Sequence, residues 1–300
     1  MILFVLGSLT EDEAASGHVI AYPKGSAASV VGRYEGHSFS GLEPGFHRGL
    51  PSRALTFRIG LGEPVQIARM PDPAQAAAAH HAFVGGLHSA SALVAHPGRG
   101  SGVGIDVSPL VARRLFGLPG GQLGSLVVDL ADLVGCDLAR ELNERLATAG
   151  SWPARFGVLD RLLGRLVART RATEPPPEVI EAWRFTLARG GRTTVGEVAD
   201  HVSWSRRHLG TRFGQELGLS PKTAIRVIRF ERTCALLLGG ATSLAAVAVA
   251  AGYYDQAHLN RDFVHLAGCT PLAWLGEEMY DPPREEFPFV QDEPLSTGAS

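Results

Sequence analysis

The last third of the chain repeats itself. "SRRHLGTRFGQELGLSP", from Ser205, and "DQAHLNRDFVHLAGCTP", from Asp255, align without a gap. His208 falls on His258, Leu209 on Leu259, Phe213 on Phe263, Gly218 on Gly268 and Pro221 on Pro271. Upstream, Val195 and Ala199 of "TVGEVADHV" fall on Leu244 and Ala248 of "SLAAVAVAAG" after a one-residue gap in the turn. Two copies of one unit imply one local structure used twice, which narrows the folds open to this region. Each copy reads as a short helix, a tight turn, a capped second helix and a glycine stop. Ser205 and Asp255 are good N-caps, because their side-chain oxygens accept from the free N–H groups of a first helical turn. Gly218 and Gly268 suit the left-handed residue that ends a helix. Ala199 and Ala248 are small enough for two helices to cross closely. This is the grammar of a helix-turn-helix.

The second helix of each copy has an unusual surface. Leu259, Phe263 and Leu266 make one narrow apolar edge, and the remaining positions hold Gln, His, Asn, Arg and Asp. A helix that enters a DNA groove needs only such an edge to dock on its partner helix, and its other faces stay polar. A solvated amphipathic helix gives the same pattern once. Two copies with matched caps, anchors and stops favour the DNA-reading interpretation.

The segment from about Arg192 to Leu275 closely resembles the DNA-binding domain of the AraC/XylS family of bacterial transcription regulators. The resemblance implies two helix-turn-helix motifs joined by a long helix. "LSPKTAIRVIRFERTCALLL" resembles that joining helix, with Arg229 and Arg232 where the family keeps basic residues. "GYYDQAHLNRDF…GCTPLAW" resembles the second motif, and Thr233, Tyr253 and Trp274 stand where Ala, Phe and Tyr are more usual. The resemblance also implies an N-terminal domain for effector binding, dimerisation or both. "HRGLPSRALTFRIGLGEP" and "FVGGLHSASALVAHPGRGSGVGIDVSPLVARRLFG" are more loosely similar to sensor halves of such regulators, and they name no ligand. The partners implied are double-stranded operator DNA, RNA polymerase, a small-molecule effector and a second copy of the chain.

Candidate base readers follow from the helical faces. Arg206, Arg207 and Thr211 project opposite Leu209 and Phe213 in the first motif; Gln256, His258, Asn260 and Arg261 are their counterparts in the second. Arg suits guanine O6 and N7, and Gln and Asn suit adenine. Any one of them has a phosphate contact or a bare surface position as its alternative, since about half or more of protein–DNA hydrogen bonds go to the backbone. Candidate phosphate contacts are Arg192, Lys222, Thr223, Arg229 and Arg232, with Lys222 and Thr223 at a helix start where N–H groups can face an anion. Charge supports a local footprint. Arg189 to Trp274 holds ten basic and six acidic side chains, a surplus of +4 inside a chain of net charge −2.

Before the repeat the period differs. To about Asp106, "HVIAYP", "ALTFRIGL" and "VQIARM" read as strands punctuated by Gly and Pro. "SPLVARRLFG", "DLADLVGCDLARELNERLA" and "PARFGVLDRLLGRLVART" then read as helices, and "EPPP" breaks the pattern. The expected fold is an α+β N-terminal domain, a strand-rich sheet or barrel followed by helices, over residues 1–173. An all-α domain with the two motifs follows over 178–279, and the acidic, Pro-rich residues 280–300 form a disordered tail. "MILFVLGSL" lacks a basic flank and reads as a buried strand rather than a signal peptide. No apolar run reaches the roughly 18 residues of a membrane span. Cys136, Cys234 and Cys269 are isolated, which suits a reducing cytoplasm and matches no metal or disulfide spacing.

Enzymatic chemistry is not legible. His18, His37, His47, His80, His81, His88 and His96 fit no metal-binding spacing, and "PGRGSGVGID" lacks the strand-then-helix context of a nucleotide loop. The expectation is therefore a non-enzyme without metal or cofactor. The alternative is an Ada-type DNA-repair protein carrying the same module. It requires a four-cysteine zinc cluster in the first half, where only Cys136 lies. A purely structural DNA-binding protein would carry a higher net basic charge.

Overall fold

The fold is that of a computed structural model, which describes residues 16–170, 174–241 and 243–277. The expected strand at "MILFVLGSL" and the expected tail lie outside these residues.

Alternation builds the first half. Leu55, Phe57 and Ile59 point into the core, and Thr56, Arg58 and Gly60 stay partly exposed, the period-two signature of a half-buried strand. The described strands are β1 (Ser16–Ala21), β2 (Val31–Phe39), β3 (Gly45–Gly49), β4 (Leu55–Gly60), β5 (Val65–Arg69), β6 (Ala78–His80), β7 (Ala82–Gly85), β8 (Ala92–His96), β9 (Gly100–Val107) and β10 (Val127–Asp129). They form two antiparallel sheets. Sheet A has the order β1-β2-β9-β4-β7-β10, and sheet B the order β3-β8-β5-β6. Ile67 and Ala92 of sheet B share a small core with Phe83 and Val127 of sheet A.

Ser108 caps a 3-10 turn, Pro109–Val111, that runs into α1 (Ala112–Phe116), which stops at Gly117 with φ 75°. The helix expected from "SPLVARRLFG" is thus split between two helical types. The next expected helix is split as well, into α2 (Leu130–Val134) and α3 (Cys136–Thr148), because Gly135 sits at φ 93°. Then α4 (Trp152–Arg169) lies against sheet A, where the Tyr34 and Phe156 rings stack at 5.7 Å and the Tyr34 hydroxyl donates to Asp160.

The remainder is helical. The run of three prolines ends one pattern and starts the next: α5 (Pro177–Ala188) carries Pro177 at its first position, where no N–H is needed. Then come α6 (Val195–His201), α7 (Arg206–Leu217), α8 (Pro221–Leu238), α9 (Leu244–Ala251), α10 (Gln256–Ala267) and α11 (Pro271–Glu277). The larger of the two buried apolar clusters continues from sheet A through α4 into these helices. No described helix is long and apolar enough to cross a membrane.

Candidate nucleic-acid interface

The repeat seen in sequence is a repeat in space. Ser205 Oγ accepts from the His208 N–H at 3.2 Å, and Asp255 Oδ1 accepts from the His258 N–H at 2.6 Å. The two helices so capped end at Gly218 (φ 90°) and Gly268 (φ 77°), a left-handed conformation that a Cβ disfavours. Leu209, Phe213, Leu259 and Phe263 are fully buried. Phe213 meets Trp183 of α5 at 6.0 Å between ring centres, whereas Phe263 lies between Phe230 of α8 at 4.9 Å and Trp274 of α11 at 5.6 Å. Thr194 adds a full capping box to α6 with Glu197, whose carboxyl is held below its ordinary pKa by the Thr194 N–H and the Thr193 hydroxyl.

With their apolar edges buried, α7 and α10 turn their other sides outward. Arg207, Thr211 and Arg261 are exposed there; Arg206 and Gln256 are exposed too, but each is three residues from an anchor leucine on the same side, and the Arg206 guanidinium lies against Gly196 of α6. His258 is half-buried, its ring edge-on to Tyr253 at 5.2 Å. Asn260 is also half-buried, and its Oδ1 is enclosed without a hydrogen-bond partner. The residues available on the outer surface are therefore a subset of those picked from sequence.

The candidate phosphate contacts divide in the same way. Lys222 and Arg192 are exposed. The Thr223 N–H already donates to Ser220 Oγ at 3.1 Å, so this helix start caps itself. Arg229 donates Nη2 to the Gly191 carbonyl at 3.0 Å and lies over the Tyr253 ring, and Arg232 donates Nε to the Ala250 carbonyl at 3.2 Å. Arg229 ties α8 to the loop before α6 and to Tyr253 in the turn of the second motif, and Arg232 ties it to the end of α9. Sequence periodicity places them on a helix surface, but only tertiary packing shows that carbonyls meet them there.

Two features escaped the sequence reading. Tyr254 is 91% exposed immediately before the Asp255 cap, an aromatic ring beside the N-terminal end of α10. Arg226 pairs with the buried Asp262 at 2.8 Å, which removes one cation and one carboxylate from the outward charge. Among the described residues, no three His, Cys, Asp or Glu side chains group closely enough to hold a metal.

Comparison with known proteins places this arrangement. Residues 198–277 match the family model described as a helix-turn-helix domain. An HTH-type transcriptional regulator of Mycobacterium tuberculosis is 28% identical over 137 residues, covering 46% of this chain and 48% of that protein. The chain therefore matches about half the length of this curated relative. Among solved structures, ToxT from Vibrio cholerae is similar with a TM-score of 0.48 at 11% identity, covering 81% of this chain and 97% of that one. The C-terminal domain of AraT, a response regulator from Geobacillus stearothermophilus, gives a TM-score of 0.34 at 23% identity over 38% of this chain and 97% of that one.

Proposed function

We propose that this chain, which carries an AraC/XylS-type helix-turn-helix domain at its C-terminus, is a sequence-specific DNA-binding transcription regulator. The observation that supports this most is the pair of capped helices with matched buried anchors and outward polar faces, α7 and α10, joined by α8. Such helices present their N-terminal residues to base edges in the major groove. In this reading Arg206, Arg207 and Thr211 read one groove segment and Gln256 and Arg261 the next, while the half-buried His258 and Asn260 contribute from the edge of that surface. Lys222 and Arg192 contact phosphate, whereas Thr223 caps its own helix and Arg229 and Arg232 act from inside the domain.

The regulatory domain spans residues 1–173 and the DNA-binding domain 178–279. The strand-rich part receives the signal, an effector or a protein partner, and RNA polymerase and a second copy of the chain are the assembly partners. The chain works in the cytoplasm and performs no catalysis. The test is selection from a random duplex pool followed by sequencing. An enriched motif with two short conserved segments is expected, and recovery of unenriched sequence would overturn the reading.

A further inference from the structure

The first half of the chain holds the two reading helices at their far ends, at matching places in the repeat. At the end of α7, Glu216 is only 5% exposed and receives Arg113 Nε and Nη2, each at 2.9 Å. Beside it, the 3-10 turn Gly120–Leu123 lies on the same helix end. A Cβ on Gly121 would fall 2.1 Å from the Gln215 carbonyl oxygen. At the end of α10, the Ala267 carbonyl accepts from Ser91 Oγ at 2.8 Å and from Arg48 Nη1 at 3.2 Å. Arg48 also pairs with Glu277 of α11 at 2.6 Å. Guanidinium groups suit the negative ends of helix dipoles. A further contact, Arg53 to Glu231 at 3.7 Å, reaches the joining helix α8.

The two grips hang on different sheets. Arg113 lies on α1, which follows β9, and the Gly120 turn leads into β10; both strands belong to sheet A. Arg48 lies on β3 and Ser91 immediately precedes β8, both in sheet B. The direct tie between the motifs is α8, with the Arg192 side chain packed against Gly252. The separation of α7 and α10 matters because successive major-groove segments repeat about every 34 Å along DNA.

We propose that the N-terminal half is a two-point brace in which sheet A sets the position of α7 and sheet B that of α10. A shift of one sheet against the other changes the separation of the reading helices, and with it the operator spacing the chain accepts. The proposal rests on the DNA-reading function above. It gives the signal a route to DNA that touches none of the base-reading residues.

The test uses the full chain and two readouts. Spin labels at Arg207→Cys and Arg261→Cys, with Cys136→Ser and Cys269→Ser, report the helix separation by pulsed EPR without DNA. One variant, Arg48→Ala with Ser91→Ala, releases the α10 grip. A second, Arg113→Gln with Glu216→Gln, releases the α7 grip without stranding a buried charge, so one variant remains informative if the other does not fold. The parent should give one narrow distance peak and each folded variant a broader or displaced one. Superimposable distributions would overturn the brace. The second readout is binding to duplexes that the parent selects from a random pool, with and without about 5 extra base pairs between the contacted segments. The variants should lose about tenfold of the parent's discrimination between these duplexes. Broadened distances with unchanged discrimination would also refute the proposal. A parent that selects no duplex sinks the DNA-reading function alone, and the EPR arm still decides the brace.

Discussion

At the scale of single residues, Arg207 lies near the Ser205 cap at the N-terminus of α7, exposed and on the side away from Leu209 and Phe213, whereas Arg206 is three residues from Leu209 on the same side and its guanidinium lies against Gly196 of α6. Arg207→Ala should cost about 1–3 kcal/mol of operator binding and relax preference at one position. Lys222→Ala should weaken all sequences alike and lower the salt slope by about one unit. Competition between operator variants at two salt concentrations separates the outcomes; equal weakening of every variant by Arg207→Ala would make it a phosphate clamp. His88 offers a second test, of stability. Burial pushes its imidazole down to about 4, and Nδ1 donates to the Ala90 carbonyl at 2.7 Å. The unfolded chain, with an ordinary histidine pKa of about 6.5, takes up the proton first as pH falls. Stability is therefore full above about pH 6.5 and is lost as pH falls toward about 4, by up to about 3 kcal/mol. Urea melts at pH 7 and pH 5 should show this loss in the parent and a smaller one in His88→Asn.

At the scale of elements, α7 and α10 depend on one anchor ring and one cap each. Phe213 and Phe263 are fully buried, and truncating either to Ala should cost about 3–5 kcal/mol. Their neighbours differ, so their effects should spread differently. Phe213 abuts Trp183, near the start of the helical half, whereas Phe263 is enclosed by Phe230 and Trp274. Phe263→Ala should thus loosen α11 along with α10. Hydrogen exchange read helix by helix checks this, and unchanged protection in α11 would contradict it. Asp255→Ala removes the acceptor of the His258 N–H and should cost about 1 kcal/mol. Ser205→Ala should cost a similar amount in chemical denaturation.

At the scale of the molecule, the shared apolar core and the Arg113–Glu216 pair link the two halves. Unfolding should therefore be one cooperative transition, with tryptophan fluorescence and far-UV circular dichroism changing together. Arg113→Ala leaves the Glu216 carboxylate buried without its cation and should cost about 3–5 kcal/mol. Replacing both partners by Gln should cost much less, because no charge is then left buried. Equal losses in the two variants would show that packing, rather than charge pairing, joins the halves.

Elements whose causes are local can be read directly from the order of residues. Caps act within one turn, glycine stops within one residue, and anchor spacing within one helix, so α6, α7, α9 and α10 and their pairing into two motifs are legible in the residues alone. The strands at "ALTFRIGL" and "VQIARM" were legible for the same reason, since alternation is a local signal. Local signals also misled where one glycine interrupts a periodic run, as Gly135 does between α2 and α3. Tertiary structure alone decided which cations face outward. Arg226, Arg229 and Arg232 share a helix with Lys222, yet a carboxylate or a carbonyl from distant sequence engages each of the three and Lys222 stays exposed. It also decided the joint between the halves, although the repeat held a trace of it. Glu216 stands where the second copy has the buried Leu266, and an acid at a core position near a helix C-terminus opposes both burial and the dipole. Such a residue needs a cation from elsewhere in the chain, and only the fold identifies it as Arg113.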